Sequence, residues 1–83
     1  MSSKEKLLQK ILSGSRNVRF GNMVTLVKAF GFRLSRTSGS HHIFTRPGVY
    51  ELVNLQSVHG QAKPHQIKQF LNLVERYNLK MEE

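Results

Sequence analysis

The chain has 83 residues, 39% of them hydrophobic, and its 13 Lys and Arg against five Asp and Glu give a formal net charge of +8. This length suits one domain with a thin core, and the absence of cysteine excludes disulfides and thiolate zinc sites. No apolar run approaches the roughly 18 residues of a transmembrane helix, and the charged N-terminus is unlike a signal peptide. We therefore expect a soluble, cytoplasmic protein with no membrane partner.

The positive charge restricts the classes of molecule that this protein is expected to bind. Lys and Arg are dispersed along the whole chain rather than collected in a tail, which is typical of contact with a nucleic-acid backbone. An acidic protein would satisfy the same charge. The alternative is a solvated surface that only keeps a small protein soluble.

The first predicted element is a short helix over Lys4 to Leu12. Its apolar residues recur at helical spacing: Leu7, Leu8, Ile11 and Leu12. Ser2-Ser3 precedes it and Ser13-Gly14-Ser15 ends it. So short a helix is marginal alone and must dock on the rest of the protein or fray.

A second helix follows. Its apolar residues have the same spacing: Met23, Val24, Val27 and Phe30. Asn22 is the expected N-cap, and Gly31 stands where a left-handed C-terminal cap is wanted.

Two strands and a turn come next. Phe32 and Leu34 alternate with polar residues that include Arg33, which predicts a strand with one apolar and one basic face. A turn is predicted over Thr37-Ser38-Gly39-Ser40, and a second strand is predicted from His41 to Thr45. Arg46-Pro47-Gly48 closes that strand, because Pro and Gly interrupt regular structure.

The last third of the chain predicts a strand, a loop and a helix. The strand covers Tyr50 to Val58, with Val53 and Leu55 on one face, and a loop follows over residues 59–62. Pro64 fits the first position of the final helix, and Asn78 can close it. The apolar stripe of that helix is Ile67, Phe70, Leu71 and Val74.

This order predicts an α+β fold. Three consecutive strands with short turns form a three-stranded antiparallel meander, and the helices cover one of its faces. The other face is left free for a ligand.

The pair His41-His42 is the first candidate for chemistry. Successive side chains on a strand point to opposite faces, so one imidazole faces the helices and the other faces the open side. The neighbouring residues do not decide which, because both Ile43 and Phe44 are apolar. The exposed imidazole would be a general acid or base, and Gly39-Ser40 would let a phosphate approach backbone amides. Alternatively, both histidines are turn residues with local hydrogen bonds.

Other sites are weaker. The four histidines could in principle bind zinc, but with no Cys or Asp the ligand set is poor, and we expect no metal and no cofactor. A Ser-His-Asp catalytic triad is excluded, because the sequence contains no Asp. Lys63 precedes the last helix, whose N-terminus favours anions, so it is either a phosphate clamp or an exposed loop lysine.

The chain resembles the HicA toxin family over about Arg19 to Leu79. The resemblance is carried by the turn and strand Gly39-Ser40-His41-His42-Ile43-Phe44, by Leu55-Gln56-Ser57-Val58-His59-Gly60, and by the amphipathic helix opened by Lys63-Pro64. It implies a double-stranded-RNA-binding-domain-like fold and an mRNA interferase controlled by a HicB antitoxin. It also implies that residues 19–83 form the RNase domain and residues 1–18 an N-terminal helical extension.

The same resemblance places the functional histidine at His41, with His42 as a possible second one. The expected function is the toxin of a type II toxin–antitoxin system, a metal-independent endoribonuclease that cleaves mRNA. The expected RNA-binding residues are Gly39, Ser40, Arg33, Arg36 and Lys63, and the expected protein partner is a HicB-like antitoxin. The alternative function is a non-catalytic double-stranded-RNA-binding module, which would explain the charge without any histidine.

Overall fold

The computed structural model describes residues 3–14 and 17–81, and within them it contains three helices and a four-stranded antiparallel sheet. The helices are α1 (Ser3–Leu12), α2 (Phe20–Ala29) and α3 (Pro64–Arg76). The strands are β1 (Arg33–Ser38), β2 (His41–Arg46), β3 (Val49–Val58) and β4 (Gln61–Ala62). The predicted α+β class is confirmed, and the fold is consistent with a double-stranded-RNA-binding-domain-like architecture, although the sheet has four strands instead of three.

The sheet follows chain order, β1-β2-β3-β4, and every pairing is antiparallel. A two-residue turn joins β1 to β2, and Gly39 adopts a φ of 58° there, a left-handed conformation that glycine reaches without steric cost. In the β2–β3 pair, His41 lies opposite Gln56 and Phe44 lies opposite Val53. These pairings fix which side chains share a face.

The prediction of a loop over residues 59–62 is wrong. His59 and Gly60 have φ values of 52° and 78°, and two successive positive φ angles make the tight turn that suits a hairpin. The chain therefore reverses into β4, where Ser57 pairs with Ala62. The Ala62 amide also donates to the Val18 carbonyl at 2.9 Å.

The start of α2 also differs from the prediction. Asn22 was expected to be the N-cap but lies inside the helix, which begins at Phe20 after Arg19. Arg19 makes no side-chain cap; instead, the Phe20 amide donates to the Gly60 carbonyl at 2.9 Å. Tertiary contact with the β3–β4 turn thus sets this boundary. The other end agrees with prediction, since Gly31 has a φ of 90°.

The three helices and one face of the sheet enclose a single core. It contains Ile11, Val18, Met23, Leu26, Val27, Phe30, Phe32, Phe44, Val53, Leu55, Ala62, Ile67, Phe70 and Leu73. Helix α1 docks on α2 through Ile11, which is only 4% exposed. Of the predicted flanks of α1, Gly14 lies in the turn after the helix, whereas Ser2 and Ser15 lie outside the described residues.

Leu34 does not join the core that was expected on its side of β1. The residue lies opposite buried Phe44 but is 47% exposed, because β1 is an edge strand and its pairing shifts between Leu34 and Arg36. Phe32, which precedes the strand, is buried as predicted.

Helix α3 begins at Pro64, as predicted, and Asn78 follows its end with a φ of 51°. Beside that end, Glu51 of β3 accepts hydrogen bonds from the Tyr77 hydroxyl and the Arg76 guanidinium. The Tyr77 hydrogen bond, with help from Arg76, holds the pKa of Glu51 below its usual range, and the same bond raises the pKa of Tyr77. None of the helices in the described ranges is long and apolar enough to cross a membrane.

Candidate functional site

The sheet has one face without helices, which we call the open face. Val53 and Leu55 on β3 are buried against the helices, so the alternating residues of that strand point the other way. Strand pairing then assigns the remaining members of the open face. They are Arg33, Arg36, Ser38, His41, Ile43, Thr45, Tyr50, Leu52, Asn54 and Gln56.

His41 is the imidazole of the open face. It begins β2 directly after the Gly39-Ser40 turn and lies opposite Ser38 on β1 and Gln56 on β3. The ring is half-buried, and its Nδ1 lies 3.2 Å from Oδ1 of Asn54. The residue is therefore held by a polar neighbour while the rest of its ring remains accessible.

His42 faces the helices. Its ring packs against Phe20 of α2, with 4.7 Å between the ring centroids and 58° between the ring planes. Its Nδ1 lies 3.2 Å from the Ser40 carbonyl oxygen. Of the two imidazoles, His42 thus has the environment expected of a packing residue with a local hydrogen bond, and His41 has that of a residue that can meet a ligand.

Gly39, Ser40 and Arg36 lie at the same end of the open face as His41. The turn residues are exposed, and a side chain at Gly39 would meet nothing within 4 Å, so the backbone there is open to a ligand. Arg36 is exposed and lies opposite Ile43, one step along β2 on the same face as His41. These three residues can surround an anionic group next to the imidazole.

Arg33 and Lys63 lie farther from His41. Arg33 is opposite Thr45, four residues along β2, which corresponds to about 13 Å at ~3.3 Å per residue. Lys63 caps the N-terminus of α3 directly after β4, at the other edge of the sheet from β1. The structure therefore groups only part of the predicted RNA-binding set around the histidine.

Two polar residues at this site were not predicted from the sequence. Asn54 contacts His41 from the neighbouring strand, but only the strand register reveals that pair. Gln66 of α3 is 5% exposed, and its Oε1 accepts a hydrogen bond of 2.7 Å from the amide of Gln56, the residue opposite His41. A polar residue within the apolar stripe of α3 is the signal that could have indicated Gln66.

A second group of cations shares only Arg33 with the open face. Lys28, Arg33 and Arg46 line a cleft of about 820 Å³ beside the end of α2. Among the described residues, nothing hydrogen-bonds Nη1 of Arg46, although this atom is buried. The sequence patterns did not single out Lys28 or Arg46.

The arrangement around His41 is suited to acid–base chemistry on an anion. No group of three or more metal-ligating side chains occurs in the part of the chain that the structure describes. An imidazole that is anchored at one nitrogen presents the other to a ligand. Neighbouring arginine and open backbone supply positive charge and amide donors for a phosphate.

Comparison with known proteins agrees with these features. Residues 22–74 match the family model described as HicA toxin of bacterial toxin-antitoxin. The match contains β1, β2, β3 and most of α3, and therefore both the His41 strand and its pairing partners. No curated protein and no solved structure matches the chain. Because the matched segment spans more than half of the sequence, the chain belongs to the HicA toxin family of bacterial toxin–antitoxin systems.

Proposed function

We propose that this toxin is a metal-independent endoribonuclease that cleaves mRNA with His41 as the general base. The observation that supports this proposal best is the position of His41 on the open face, with its Nδ1 next to Asn54 and its ring half-buried. Family membership supports the role as a toxin, and the net charge of +8 supports an anionic substrate.

The chemistry needs few protein groups, because RNA carries its own nucleophile. In the tautomer with the proton on Nδ1, His41 donates to Asn54 Oδ1, and Nε2 holds the lone pair of a base. Nε2 accepts the proton of a 2′-hydroxyl, the 2′-oxygen bonds to phosphorus, and the bond from phosphorus to the 5′-oxygen breaks. Water protonates the departing 5′-oxygen and takes the proton from Nε2 in exchange, which regenerates the base and leaves a 2′,3′-cyclic phosphate.

Positive charge stabilises the phosphorane formed in this reaction. Arg36 and the open backbone at Gly39 and Ser40 adjoin His41, so we assign them to the scissile phosphate. Arg33 and Lys63 lie farther away along and across the sheet, and we assign them to flanking phosphates. No cofactor takes part.

The test is cleavage of a single RNA by purified variants. His41→Ala should reduce the rate about 10²–10⁴-fold, the usual contribution of a general acid or base. His65→Ala is the matched control, because His65 is exposed on α3, away from the open face. Undiminished cleavage by folded His41→Ala would contradict the proposal, and cleavage that disappears in EDTA would favour a metal mechanism instead.

A non-catalytic double-stranded-RNA-binding module is the second candidate. The double-stranded-RNA-binding-domain-like fold and the net charge favour it, because such domains recognise duplex shape through phosphate and 2′-hydroxyl contacts. Tight duplex binding with no cleavage products at any pH would support the module. Growth arrest by the wild type but not by His41→Ala would support the enzyme.

Membership of a toxin–antitoxin family implies an antitoxin, and we propose that it is a HicB-like protein that covers the open face. An acidic domain would complement Arg33, Arg36 and Lys63, and electrostatic steering would make its association fast and sensitive to salt. His41 should then be protected from diethylpyrocarbonate in the complex, while exposed His65 still reacts. Equal reactivity of His41 in the free and bound protein would mean that inhibition uses another surface.

We also propose that residues 19–83 form the RNase domain and residues 1–18 an extension that stabilises it. Helix α1 packs on α2 and contributes Ile11 to the core, whereas the open face is built from later residues. A chain that starts at residue 17 lacks α1 but keeps Val18, which is buried in the core and pairs with Ala62, so it should retain its cleavage chemistry but unfold at a lower temperature. Loss of cleavage while the shortened protein is still folded would assign the extension a direct role.

A further inference from the structure

The open face continues well beyond His41, and its chemistry changes along β3. Next to His41 it carries the polar residues Gln56 and Asn54, and farther along the same strand it carries Leu52 and Tyr50. Leu52 is 56% exposed and Tyr50 is 94% exposed. Tyr50 is thus a nearly free aromatic ring on the same surface as the proposed base.

Two arginines lie in a row beside the stripe that Leu52 and Tyr50 form on the open face. On β1, Arg36 lies opposite Ile43 and Arg33 opposite Thr45, so both belong to the open face. Strand β2 separates them from β3, which places the arginine row about 10 Å from the stripe at ~4.8 Å per strand spacing. Positive side chains on one side and one aromatic ring with a neighbouring leucine on the other match the two sides of an unpaired nucleic-acid strand.

We propose that the open face binds single-stranded RNA, with a base stacked on Tyr50 and the phosphates of the same strand held by Arg36 and Arg33. This inference rests on the proposed RNA substrate. It adds that this RNA is single-stranded and that the protein binds it at Tyr50 as well as at His41. A duplex would present its phosphates but not a base face, because the faces of paired bases are covered by their neighbours. An exposed ring is therefore useful only to unpaired RNA.

The geometry also gives the position of the stacked base. Tyr50 is four residues from Asn54, the residue that contacts His41, which corresponds to at most about 13 Å at ~3.3 Å per residue, because the β2–β3 pairing is irregular between Phe44 and Arg46. Continuously stacked nucleotides are about 3.4 Å apart, and a strand whose bases are unstacked advances farther per nucleotide, so the base on Tyr50 lies within about four nucleotides of the cleaved bond.

The experiment measures binding of a 2′-O-methyl RNA, which cannot be cleaved because its 2′-oxygen has no proton to lose. Tyr50→Ala should weaken the affinity for a single strand of about ten nucleotides by roughly 5- to 150-fold, the range for loss of one stacked base. Tyr50→Phe should bind like the wild type, because it keeps the ring. Leu12→Ala is the control, since Leu12 is 62% exposed on α1, outside the sheet.

A series of variants of the same oligonucleotide, each lacking the base at one position, locates the nucleotide that contacts Tyr50. Removing one base at a time should weaken binding to the wild type at one position within about four nucleotides of the cleaved bond, and this loss should vanish in Tyr50→Ala. Absence of coupling at every position would overturn the proposal. So would a Tyr50→Ala protein that has lost only its affinity for the antitoxin, because the stripe would then be a protein-docking surface.

These outcomes are separable from those of the proposed function. If folded His41→Ala cleaves RNA normally but the coupling to Tyr50 is present, the single-strand surface stands and the catalytic assignment falls. If His41→Ala is inactive but Tyr50→Ala binds and cleaves long RNA like the wild type, the catalytic assignment stands and the single-strand surface falls.

Discussion

The hydrogen bond that Gln66 accepts from the Gln56 amide allows a quantitative prediction about the strand next to His41. Strand β4 pairs with β3 only at Ser57 and Val58, so it ends before it reaches Gln56. The Gln56 amide would have no acceptor there without Oε1 of Gln66, at 2.7 Å. Gln66→Met keeps a similar side-chain length and helix propensity but removes this acceptor.

The expected loss is about 1–3 kcal/mol of unfolding free energy, the cost of leaving a desolvated amide without a partner. Since the amide is only partly buried, we expect the lower half of that range. In a domain of this size each kcal/mol lowers the melting temperature by roughly 4–8 °C. Urea and thermal denaturation followed by circular dichroism would measure both quantities.

Gln69→Met is the matched control, because Gln69 lies on the same helix but is exposed. It makes the same chemical change without removing a buried acceptor, so it should shift stability by no more than about 0.5 kcal/mol. Equal stabilities of the Gln66 and Gln69 variants would refute the reasoning, because the Gln56 amide would then have found another partner at no cost.

Two further predictions concern side-chain hydrogen bonds. Asn54→Leu should slow RNA cleavage about fivefold to tenfold without unfolding the protein, because one exposed hydrogen bond to His41 is worth about 1 kcal/mol. An unchanged cleavage rate would exclude Asn54 as a positioning residue. The lowered pKa of Glu51 contributes stability that is present above its ordinary value of 4.5 and lost as the pH falls through the lower folded value. Glu51→Gln should therefore destabilise the protein near neutral pH and reduce the fall in melting temperature as the pH drops below the ordinary value of 4.5. Parallel pH profiles for wild type and variant would contradict this assignment.

The helices and the three long strands were predictable because their signals are local. The apolar stripe of α3, the proline at its first position and the glycine after α2 each act within one turn of helix. The alternation of Val53 and Leu55 marks the buried side of β3 without knowledge of its partners.

The errors occurred where a distant contact sets the local structure. Helix α2 begins at Phe20 because the Gly60 carbonyl accepts its amide, and no residue near Asn22 reveals this contact. Strand β4 has only two residues, and its turn, His59-Gly60, lacks the Asn-Gly or Asp-Gly pattern that usually signals a hairpin. Short strands carry too little sequence pattern to be distinguished from loops.

The histidine pair shows the same limit at the candidate site. Alternation predicts that His41 and His42 face opposite sides, but the apolar residues Ile43 and Phe44 leave the sides unassigned. The register assigns them, because buried Phe44 and His42 are two residues apart and must share the helix-covered face. Asn54 becomes a neighbour of His41 through that same register, so no spacing in the sequence could have indicated it.

The open face finally explains why a small basic protein leaves apolar residues in water. Tyr50 and Leu52 contribute little to the core, and an exposed apolar stripe on a sheet promotes association, so stability alone does not account for it. The proposed binding of RNA and of an antitoxin would use the exposed ring and the positive charge of this face, and the helices occupy the other face. If both ligands use this face, they bind in competition, and the free antitoxin concentration sets the fraction of toxin that can reach RNA. Antitoxin should then raise the apparent KM for RNA cleavage while leaving kcat unchanged, and a fall in kcat at saturating RNA would show that the antitoxin binds elsewhere.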